Sequence, residues 1–483
     1  MNREENFHRL NQIQERAKMI LVSRDSLTLL AIFGMILLGL VISKLLAGGN
    51  WLFAVVGIFA IPAFIVLLRF PFITLIIWLV LSPFLVQTPS TAERMLFWLI
   101  HRMLPVATLG IMIVSSGLRI SKRWLPRFSL AEYAMVAYLG ATVVSILLLN
   151  DSISATLILF YDRVFIPMCL YWVIKLSAPG ENTLKWLVPV ALFITVTQIA
   201  IGTVSWIMPS VLPSTWTKYV GIRTTGSLNS VSVFTATITF TGAILLYTAL
   251  QMKHGWKRNI LILAFLATLY GLFISFSRAS WLASVVVLLG VFTLYPRFMS
   301  RLFFRLLPVI VLLGGTLMVT QLQFAKERFY SADSAQTALS RLPVMVAAYR
   351  MFEQKPITGW GYGNFDLYDR QFQGRFGDLV NPDEKDLTSH NMFLTLLAEQ
   401  GLVGFTLFIF PILWLLFKTI QFRQRLPERG LKSRNMTYLL WLVVLSFVVV
   451  MNFAPIVVVF GLGLFWVTLG LISNTIRSYS PIK

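Results

Sequence analysis

Residues 436–473 read MTYLLWLVVLSFVVVMNFAPIVVVFGLGLFWVTLGLIS and contain no Asp, Glu, Lys or Arg. Two apolar runs, 436–451 and 456–473, are separated there by a short turn around Pro455. A helix needs roughly 17–25 mostly apolar residues to cross a bilayer, since each residue adds about 1.5 Å along its axis. The stretch therefore predicts two consecutive transmembrane helices.

Similar runs recur along the chain and predict fourteen spans in all. We place them at 27–46, 51–68, 70–87, 95–118, 129–149, 155–176, 184–208, 231–250, 259–276, 280–295, 306–321, 391–417, 436–451 and 456–473.

Composition narrows the fold class. Of the 483 residues, 57% are apolar and 13% are charged, and the mean hydropathy is +0.76. These values exclude a disordered chain, a collagen, a disulfide scaffold and a soluble enzyme. A transmembrane barrel would alternate polar and apolar residues. We therefore predict an all-α fold, a polytopic membrane helix bundle of about 12–14 transmembrane helices with one large structured outer loop.

The net charge of +21 fits the orientation of such a bundle better than nucleic-acid binding, because basic loops stay on the cytoplasmic side. The basic loops fall on alternate connections, at 119–127, 251–258, 296–305 and 418–435. This pattern predicts a cytoplasmic tail (1–26), a transmembrane bundle (27–321), an extracytoplasmic loop (322–390), C-terminal transmembrane helices (391–473) and a second cytoplasmic tail (474–483).

The polar stretch 322–390 is the one long loop, and part of it has helical periodicity. Its apolar stripe consists of Ala338, Leu342, Met345, Tyr349 and Phe352. Pro356 is expected to stop the helix, and Gly359, Gly361 and Gly363 to form a flexible turn. Such a helix would lie on the outer membrane surface or cap the bundle.

Three residues at the outer ends of predicted spans are candidates for chemistry. Arg278 begins the tenth span and Arg223 precedes the eighth, where free N–H groups and a guanidinium fork suit a phosphate. His390 precedes the twelfth span, where the helix dipole favours neutral imidazole and hence a general base. Each has a simpler alternative: arginines that contact lipid headgroups, and a histidine that only caps a helix.

Other polar residues predict structure rather than chemistry. Glu132 and the adjacent Asp162 and Arg163 lie within spans, where pairing with other helices is the expected role. Cys169 is the only cysteine, and the four histidines lack metal-binding spacing, so we expect no disulfide and no metal site. His101 is expected to be a packing histidine.

Two arginines and one histidine on the same predicted face together resemble an anion clamp and a base. The natural anion at the outer face of a bacterial membrane is a lipid-linked diphosphate. Its cleavage requires stabilisation of the leaving-group charge and deprotonation of an acceptor hydroxyl.

At these residues the sequence resembles the O-antigen ligase/O-antigen polymerase family of membrane glycosyltransferases. The resemblance covers roughly 220–410. It rests on Arg223 with Gly226 and Asn229, on Phe276-Ser-Arg-Ala-Ser-Trp-Leu282, on the stretch from Arg341 through Pro356 to Phe365, and on Ser389-His-Asn-Met-Phe-Leu394 followed by Glu399-Gln-Gly-Leu-Val-Gly404.

The resemblance implies a multi-pass protein of the bacterial inner membrane whose active site faces the periplasm or cell exterior. Its donor would be an undecaprenyl-diphosphate-linked glycan, and its acceptor a lipid-linked, glycan or protein hydroxyl. By the match, His390 would activate the acceptor, and Arg223 and Arg278 would bind the diphosphate. The reaction would invert the anomeric configuration without nucleotide sugar, metal or other cofactor.

Several alternatives stay open at this point. Fourteen spans exceed the dozen typical of the ligases, and the motifs are shared by ligases and polymerases. A transporter or flippase of lipid-linked saccharides would also be a basic bundle, although its polar sites should lie near mid-membrane. A glycan polymerase of the peptidoglycan type would share the donor chemistry but lack the Ser277-Arg278 and Ser389-His390-Asn391 signatures.

Overall fold

The computed structural model describes residues 43–44, 47–48, 62–85, 91–117, 128–217, 223–305, 307–308, 341–373, 389–453 and 458–479. The chain divides into two compact units, 1–70 and 71–483. In the first, the structure describes the helix Pro62–Arg69. All elements below belong to the second unit.

The second unit is built of helices, and no strand occurs in its described ranges. The apolar helices are α1 (Ile73–Leu81), α2 (Glu93–Gly117), α3 (Leu130–Leu149), α4 (Ile153–Ser177), α5 (Glu181–Ile207), α6 (Val231–Gln251), α7 (Trp256–Ile274), α8 (Arg278–Leu294), α11 (Met392–Phe422), α12 (Arg434–Met451) and α13 (Val459–Tyr479). Between α8 and α11 come α9 (Arg341–Gln354) and α10 (Phe365–Gln373).

Nine helices in these ranges are long and apolar enough to cross a membrane, which confirms the all-α polytopic fold. They correspond to nine of the fourteen predicted spans. Two more predicted spans contain shorter helices, α1 and the 17-residue α8. Most residues of the runs 27–46, 51–68 and 306–321 lie outside the described ranges.

Helix α13 forms the centre of the bundle and is buried along almost its whole length. It packs against α4, α11 and α12. Two glycines of α13 allow close approach to α1 and to α4. A Cβ at Gly463 would lie 2.4 Å from the Trp78 ring, and one at Gly470 would lie 3.1 Å from Ile174. Around them Trp466 is fully buried and meets the Tyr171 ring edge-on at 6.1 Å.

The predicted pairing of Glu132 and Asp162 with other helices is confirmed. Glu132 forms an ion pair with Lys175 of α4 and accepts a hydrogen bond from the Tyr171 hydroxyl at 2.5 Å. Asp162 accepts from Arg102 Nε at 2.8 Å and Nη2 at 2.7 Å. Pairing offsets the cost of placing these charges in a bilayer.

The Arg102–Asp162 pair joins two helices at places where the backbone has widened into π-helix, at Trp98–Met103 and Tyr161–Phe165. His101 is buried beside it, where Nδ1 accepts from the Trp78 indole at 3.2 Å. It is a packing histidine, as expected.

Helices α9 and α10 form a second, smaller core with the first residues of α11. The predicted helix is present and ends before Pro356, and the face that it buries in this core is not the predicted apolar stripe. The buried face consists of Val344, Ala347, Ala348 and Met351. Leu342 and Tyr349 of the predicted stripe are 42% and 52% exposed, and Ala338 lies outside the described residues. Small side chains face the core because α9 packs closely on α10.

Candidate functional site

Three helices, α6, α8 and α11, begin with the same backbone pattern. In each, a residue with positive φ is followed by a capping residue, and the helix starts next. The positive-φ residues are Asn229 (50°), Phe276 (46°) and His390 (56°). Within the described ranges the only other non-glycine example is Ala178. This conformation costs about 1–2 kcal/mol per residue and is concentrated at functional sites.

Each of the three helices is capped by the side chain that follows the positive-φ residue. The caps accept backbone N–H groups as follows: Ser230 from Val233 at 3.4 Å, Ser277 from Ser280 at 3.3 Å, and Asn391 from Phe393 at 3.0 Å and Leu394 at 3.1 Å. A cap leaves other first-turn N–H groups available, so each end keeps a positive electrostatic potential.

Arg223 and Arg278 are connected through one tryptophan. The Trp206 indole donates to the Thr224 hydroxyl at 2.5 Å, directly after Arg223. The same ring lies 5.5 Å from the ring of Phe276, two residues before Arg278. The structure therefore brings the chain segments of both arginines together around Trp206.

Helices α8 and α12 pack antiparallel, and this places Arg278 near the end of α12. The pairs that contact or face each other are Gly290 with Leu442 and Thr293 with Tyr438. Arg278 precedes Gly290 by 12 residues and Asn452 follows Leu442 by 10. At about 1.5 Å per residue, both lie roughly 15–18 Å from this contact, toward the same end of the bundle.

His390 lies at that end too. The neighbouring Asn391 donates from Nδ2 to Asn452 Oδ1 at 3.4 Å. Arg341, at the start of α9, donates to the carbonyl oxygen of Phe453 at 3.2 Å. The segments carrying all three predicted site residues are thus located at one end of the helix bundle.

The residues on either side of His390 hold its backbone. Ser389 is fully buried, and its hydroxyl donates to the carbonyl oxygen of Asn391 at 2.8 Å. Its backbone N–H donates to the Thr395 hydroxyl at 3.1 Å. His390 itself is half-buried. The imidazole therefore extends from a turn that hydrogen bonds hold in place, and part of the His390 side chain is accessible.

The glycine-rich stretch after Pro356 is locked against α11, contrary to the prediction of a flexible turn. Four backbone hydrogen bonds join the two segments: Trp360 N–H to Ala398 O (3.0 Å), Gly361 to Glu399 (2.8 Å), Leu402 to Pro356 (2.8 Å) and Val403 to Ile357 (3.2 Å). Gly359 (φ 69°) and Gly401 (φ 59°) permit this contact. A Cβ on either would lie within 2.4 Å of the facing backbone.

Gly401 also divides α11. Its dihedrals, φ 59° and ψ −160°, are not helical, so residues 392–400 form a short helix distinct from the longer one that follows. His390 therefore precedes a short helix that is hydrogen-bonded to residues 356–361, and not the membrane span directly.

Glu399 and Asn150 connect residues 360–365 to the helix bundle. The Glu399 carboxylate is buried, accepts the Phe365 N–H at 3.3 Å and lies within range of the Arg163 charge. Asn150 Nδ2, between α3 and α4, donates to Tyr362 O at 3.0 Å and Asn364 Oδ1 at 2.7 Å. Burial raises the pKa of Tyr362 well above its ordinary value, so its hydroxyl stays neutral.

Sequence reasoning missed Trp206, Asn150, Glu399 and Asn452. Glu399 lies in a stretch already singled out, and a carboxylate two residues before a glycine in an apolar run is a signal that could have identified it. The other three have no local signal, because their partners are distant in sequence.

The arrangement suits an anion and a proton acceptor. Two guanidinium groups and three helix N-termini supply positive potential, and an imidazole can take a proton. Within the described residues, no group of three or more His, Cys, Asp or Glu side chains could hold a metal ion.

Comparisons with known proteins agree with these motifs. Residues 262–409 match the family model described as O-antigen ligase, a range that contains Arg278 and His390 but not Arg223. A Rickettsia conorii protein provisionally named a polysaccharide ligase is 26% identical over 289 residues, which are 56% of this chain. The match spans 64% of that relative's own length. Over residues 262–409 the chain is therefore similar to the O-antigen ligase family, and the described helices are those of a multi-pass membrane protein.

Proposed function

We propose that this protein is a membrane glycosyltransferase that moves a glycan from an undecaprenyl-diphosphate carrier to an acceptor hydroxyl. The proposal rests above all on the convergence of Arg223, Arg278 and His390 at one end of the bundle. The match of residues 262–409 to the O-antigen ligase family model supports the transferase class.

In the proposed step, His390 accepts the proton of the acceptor hydroxyl. The acceptor oxygen attacks the anomeric carbon and forms the new glycosidic bond. The bond from that carbon to the diphosphate oxygen breaks, and the electron pair leaves with the undecaprenyl diphosphate. Attack opposite the leaving group inverts the anomeric configuration.

Arg223 and Arg278 would stabilise the charge that develops on the diphosphate. Guanidinium groups match phosphate oxygens in pairs, and the N-terminus of α8 adds N–H groups beside Arg278. Because the positive groups are already in place, little reorganisation is required when the bond breaks. The step uses no metal, nucleotide sugar or other cofactor.

We place the protein in the bacterial inner membrane with this site toward the periplasm or cell exterior. Three basic connections, 251–258, 296–305 and 418–435, lie at the opposite end of the helices. The positive-inside rule assigns that end to the cytoplasm. A diphosphate carrier would then present its glycan at the outer leaflet.

Reconstitution with defined components tests the function. Purified protein in vesicles would receive undecaprenyl-diphosphate-linked glycan together with alternative acceptors. Transfer to a core lipid would identify a ligase, transfer to a protein hydroxyl a protein-glycosylating member, and growth of the glycan chain a polymerase. Movement of the intact donor across the bilayer without transfer would contradict the proposal and indicate the flippase alternative.

A further inference from the structure

A second positively charged region lies at the end of the bundle opposite the candidate site, where three chain segments meet. They are the end of α4 with the turn after it, the loop before α12 and the last residues of α13: 175–180, 426–433 and 474–479. Arg477 Nη1 donates to the carbonyl oxygen of Lys175 at 2.7 Å, and Lys432 Nζ donates to the Ser478 hydroxyl at 2.9 Å. These bonds bring two cations from different parts of the chain to the end of α13.

Positive charge is in excess in this region. Five basic residues and two acids occur in the ranges that meet here, 175–181, 428–434 and 474–479. Lys175 is neutralised by Glu132 of α3. The Glu181 carboxylate already accepts two backbone N–H groups of the loop before α12, at 2.5 and 3.3 Å. The carboxylates of the region therefore do not balance its cations.

Arg477 and Lys432 are the half-buried cations that this imbalance leaves. Neither forms an ion pair with a carboxylate of the described residues, and each donates one side-chain hydrogen bond to a neutral oxygen. Lys432 is bonded to the residue directly after Arg477, so the two charges are close to each other. Burial lowers the pKa of Lys432, Glu181 raises it, and the charge of Arg477 lowers it. Such a pair is costly unless an anion compensates it.

The two cations lie at the level of lipid headgroups. Arg477 is two residues before the end of α13, and Lys432 is two residues before the start of α12. Trp186, near the start of α5, is 64% exposed, and an exposed tryptophan at the end of a span is typical of the membrane–water interface. This end of the bundle carries the basic connections, and the positive-inside rule assigns it to the leaflet that is rich in anionic lipid.

We propose that Arg477 and Lys432 bind the phosphate group of an anionic phospholipid. A guanidinium fork pairs with two phosphate oxygens, and an ammonium binds another as a point charge. Both side chains retain N–H groups for this purpose, since each gives one to the protein. Inorganic phosphate shares the same chemistry, but the position at the interface favours a lipid. The site is separate from glycan transfer and does not depend on the proposed function.

Lipid binding by the purified full-length protein tests the proposal. Native mass spectrometry would give the dissociation constant of the first phosphatidylglycerol bound, for the wild type and for Lys432→Gln with Arg477→Gln. The matched control is Lys253→Gln with Arg423→Gln. It removes one lysine and one arginine from exposed positions at the same end of the bundle.

We expect the Lys432 and Arg477 double variant to bind phosphatidylglycerol at least about tenfold more weakly, and the control to stay within about twofold of wild type. Phosphatidylcholine, whose headgroup has no net charge, should bind all three proteins equally. Equal losses in both double variants would show that total charge alone attracts the lipid, and this would overturn the inference.

A cysteine beside the site distinguishes a lipid from soluble phosphate. Ser478 is exposed next to Arg477, and the only native cysteine, Cys169, is buried. Phosphatidylglycerol in mixed micelles should slow the reaction of Ser478→Cys with a neutral maleimide about fivefold or more, and that of the exposed Gln421→Cys less than about twofold. Inorganic phosphate should slow neither. Protection by inorganic phosphate equal to that by the lipid would overturn the lipid assignment.

Folding is checked separately. Thermal unfolding in lipid-free detergent should be cooperative in both double variants. Added phosphatidylglycerol should raise the Tm of the wild type and the control but not that of the Lys432 and Arg477 variant. If that variant does not fold, Lys432→Gln alone keeps the bond between Arg477 and α4 and should still weaken binding about threefold or more. Unchanged affinity in the single variant would overturn the inference.

Discussion

At the scale of single residues, His390 has a strained backbone conformation that is held by hydrogen bonds of its two neighbours. Its φ of 56° is unfavourable for a residue with a side chain, and Ser389 and Asn391 hold it in place. Asparagine tolerates this conformation better than most residues, whereas β-branched residues tolerate it poorly. The position could therefore have carried asparagine if only a turn were needed.

Substitution of His390 tests this distinction. His390→Asn should preserve the turn and membrane abundance but abolish glycan transfer, because an amide cannot accept the acceptor proton. The measurement is transfer by reconstituted protein, with thermal unfolding as the control for folding. Turnover at the wild-type rate would remove His390 from the mechanism.

Arg278 tests the nature of the anion contact. Arg278→Lys keeps the charge at the start of α8 but loses the planar fork that pairs with two phosphate oxygens. We expect a loss of about 10- to 100-fold in transfer rate, corresponding to one charge-assisted hydrogen bond of about 1.5–3 kcal/mol. Normal activity would favour an arginine that merely contacts lipid headgroups.

At the scale of elements, the contact between residues 356–361 and 398–403 positions the short helix that follows His390. It joins the loop that follows α9 to the short helix that follows His390, and it requires a glycine on each side. Glycine-rich sequence is usually taken as a sign of flexibility, but here the glycines permit close contact between two backbones. The same contact separates the short helix from the span.

Replacing one of these glycines should lower the stability of the protein. Gly401→Ala places a Cβ within 2.4 Å of the Ile357 carbonyl and imposes a conformation that is nearly exclusive to glycine. We expect destabilisation of at least about 1–3 kcal/mol and a large loss of transfer. Thermal unfolding in detergent and the transfer assay would measure both effects.

Gly140→Ala is the matched control, because nothing lies within 4 Å of a Cβ at that helical position. It should leave activity unchanged and stabilise the protein slightly, by about 0.5–1 kcal/mol. Equal effects of the two substitutions would contradict the proposed role of the glycine contact.

At the scale of the whole molecule, the polar residues of the bundle have two separate roles. Candidate site residues gather at one end, while the Glu132–Lys175 pair lies buried between α3 and α4 near the other. A buried pair of this kind contributes little net stability, although removal of one partner leaves a charge without compensation.

Glu132→Gln should therefore destabilise the protein by about 3–5 kcal/mol, because Lys175 stays buried and loses its counter-charge. The double variant Glu132→Leu with Lys175→Met should be less destabilised, since it removes both charges. Thermal unfolding of the three proteins measures the difference. A double variant less stable than the single one would contradict a purely structural role.

The orientation of the bundle can be tested by labelling. The only native cysteine, Cys169, is buried, so an introduced cysteine should give a clear signal. With intact cells, a membrane-impermeant maleimide should label Ile357→Cys, which is 64% exposed near the site, and not Lys253→Cys in a basic connection. The reverse pattern would place the site in the cytoplasm.

Run length, caps and charge bias are local properties, so they were sufficient to predict the helical class, the approximate bounds of nine spans and the candidate site residues. Tertiary structure decided which face of α9 is buried, which glycines are locked, and that Trp206 and Asn452 bring the site segments to one end. Those features depend on packing between residues far apart in the chain, and a local pattern cannot encode the partner that a side chain will meet.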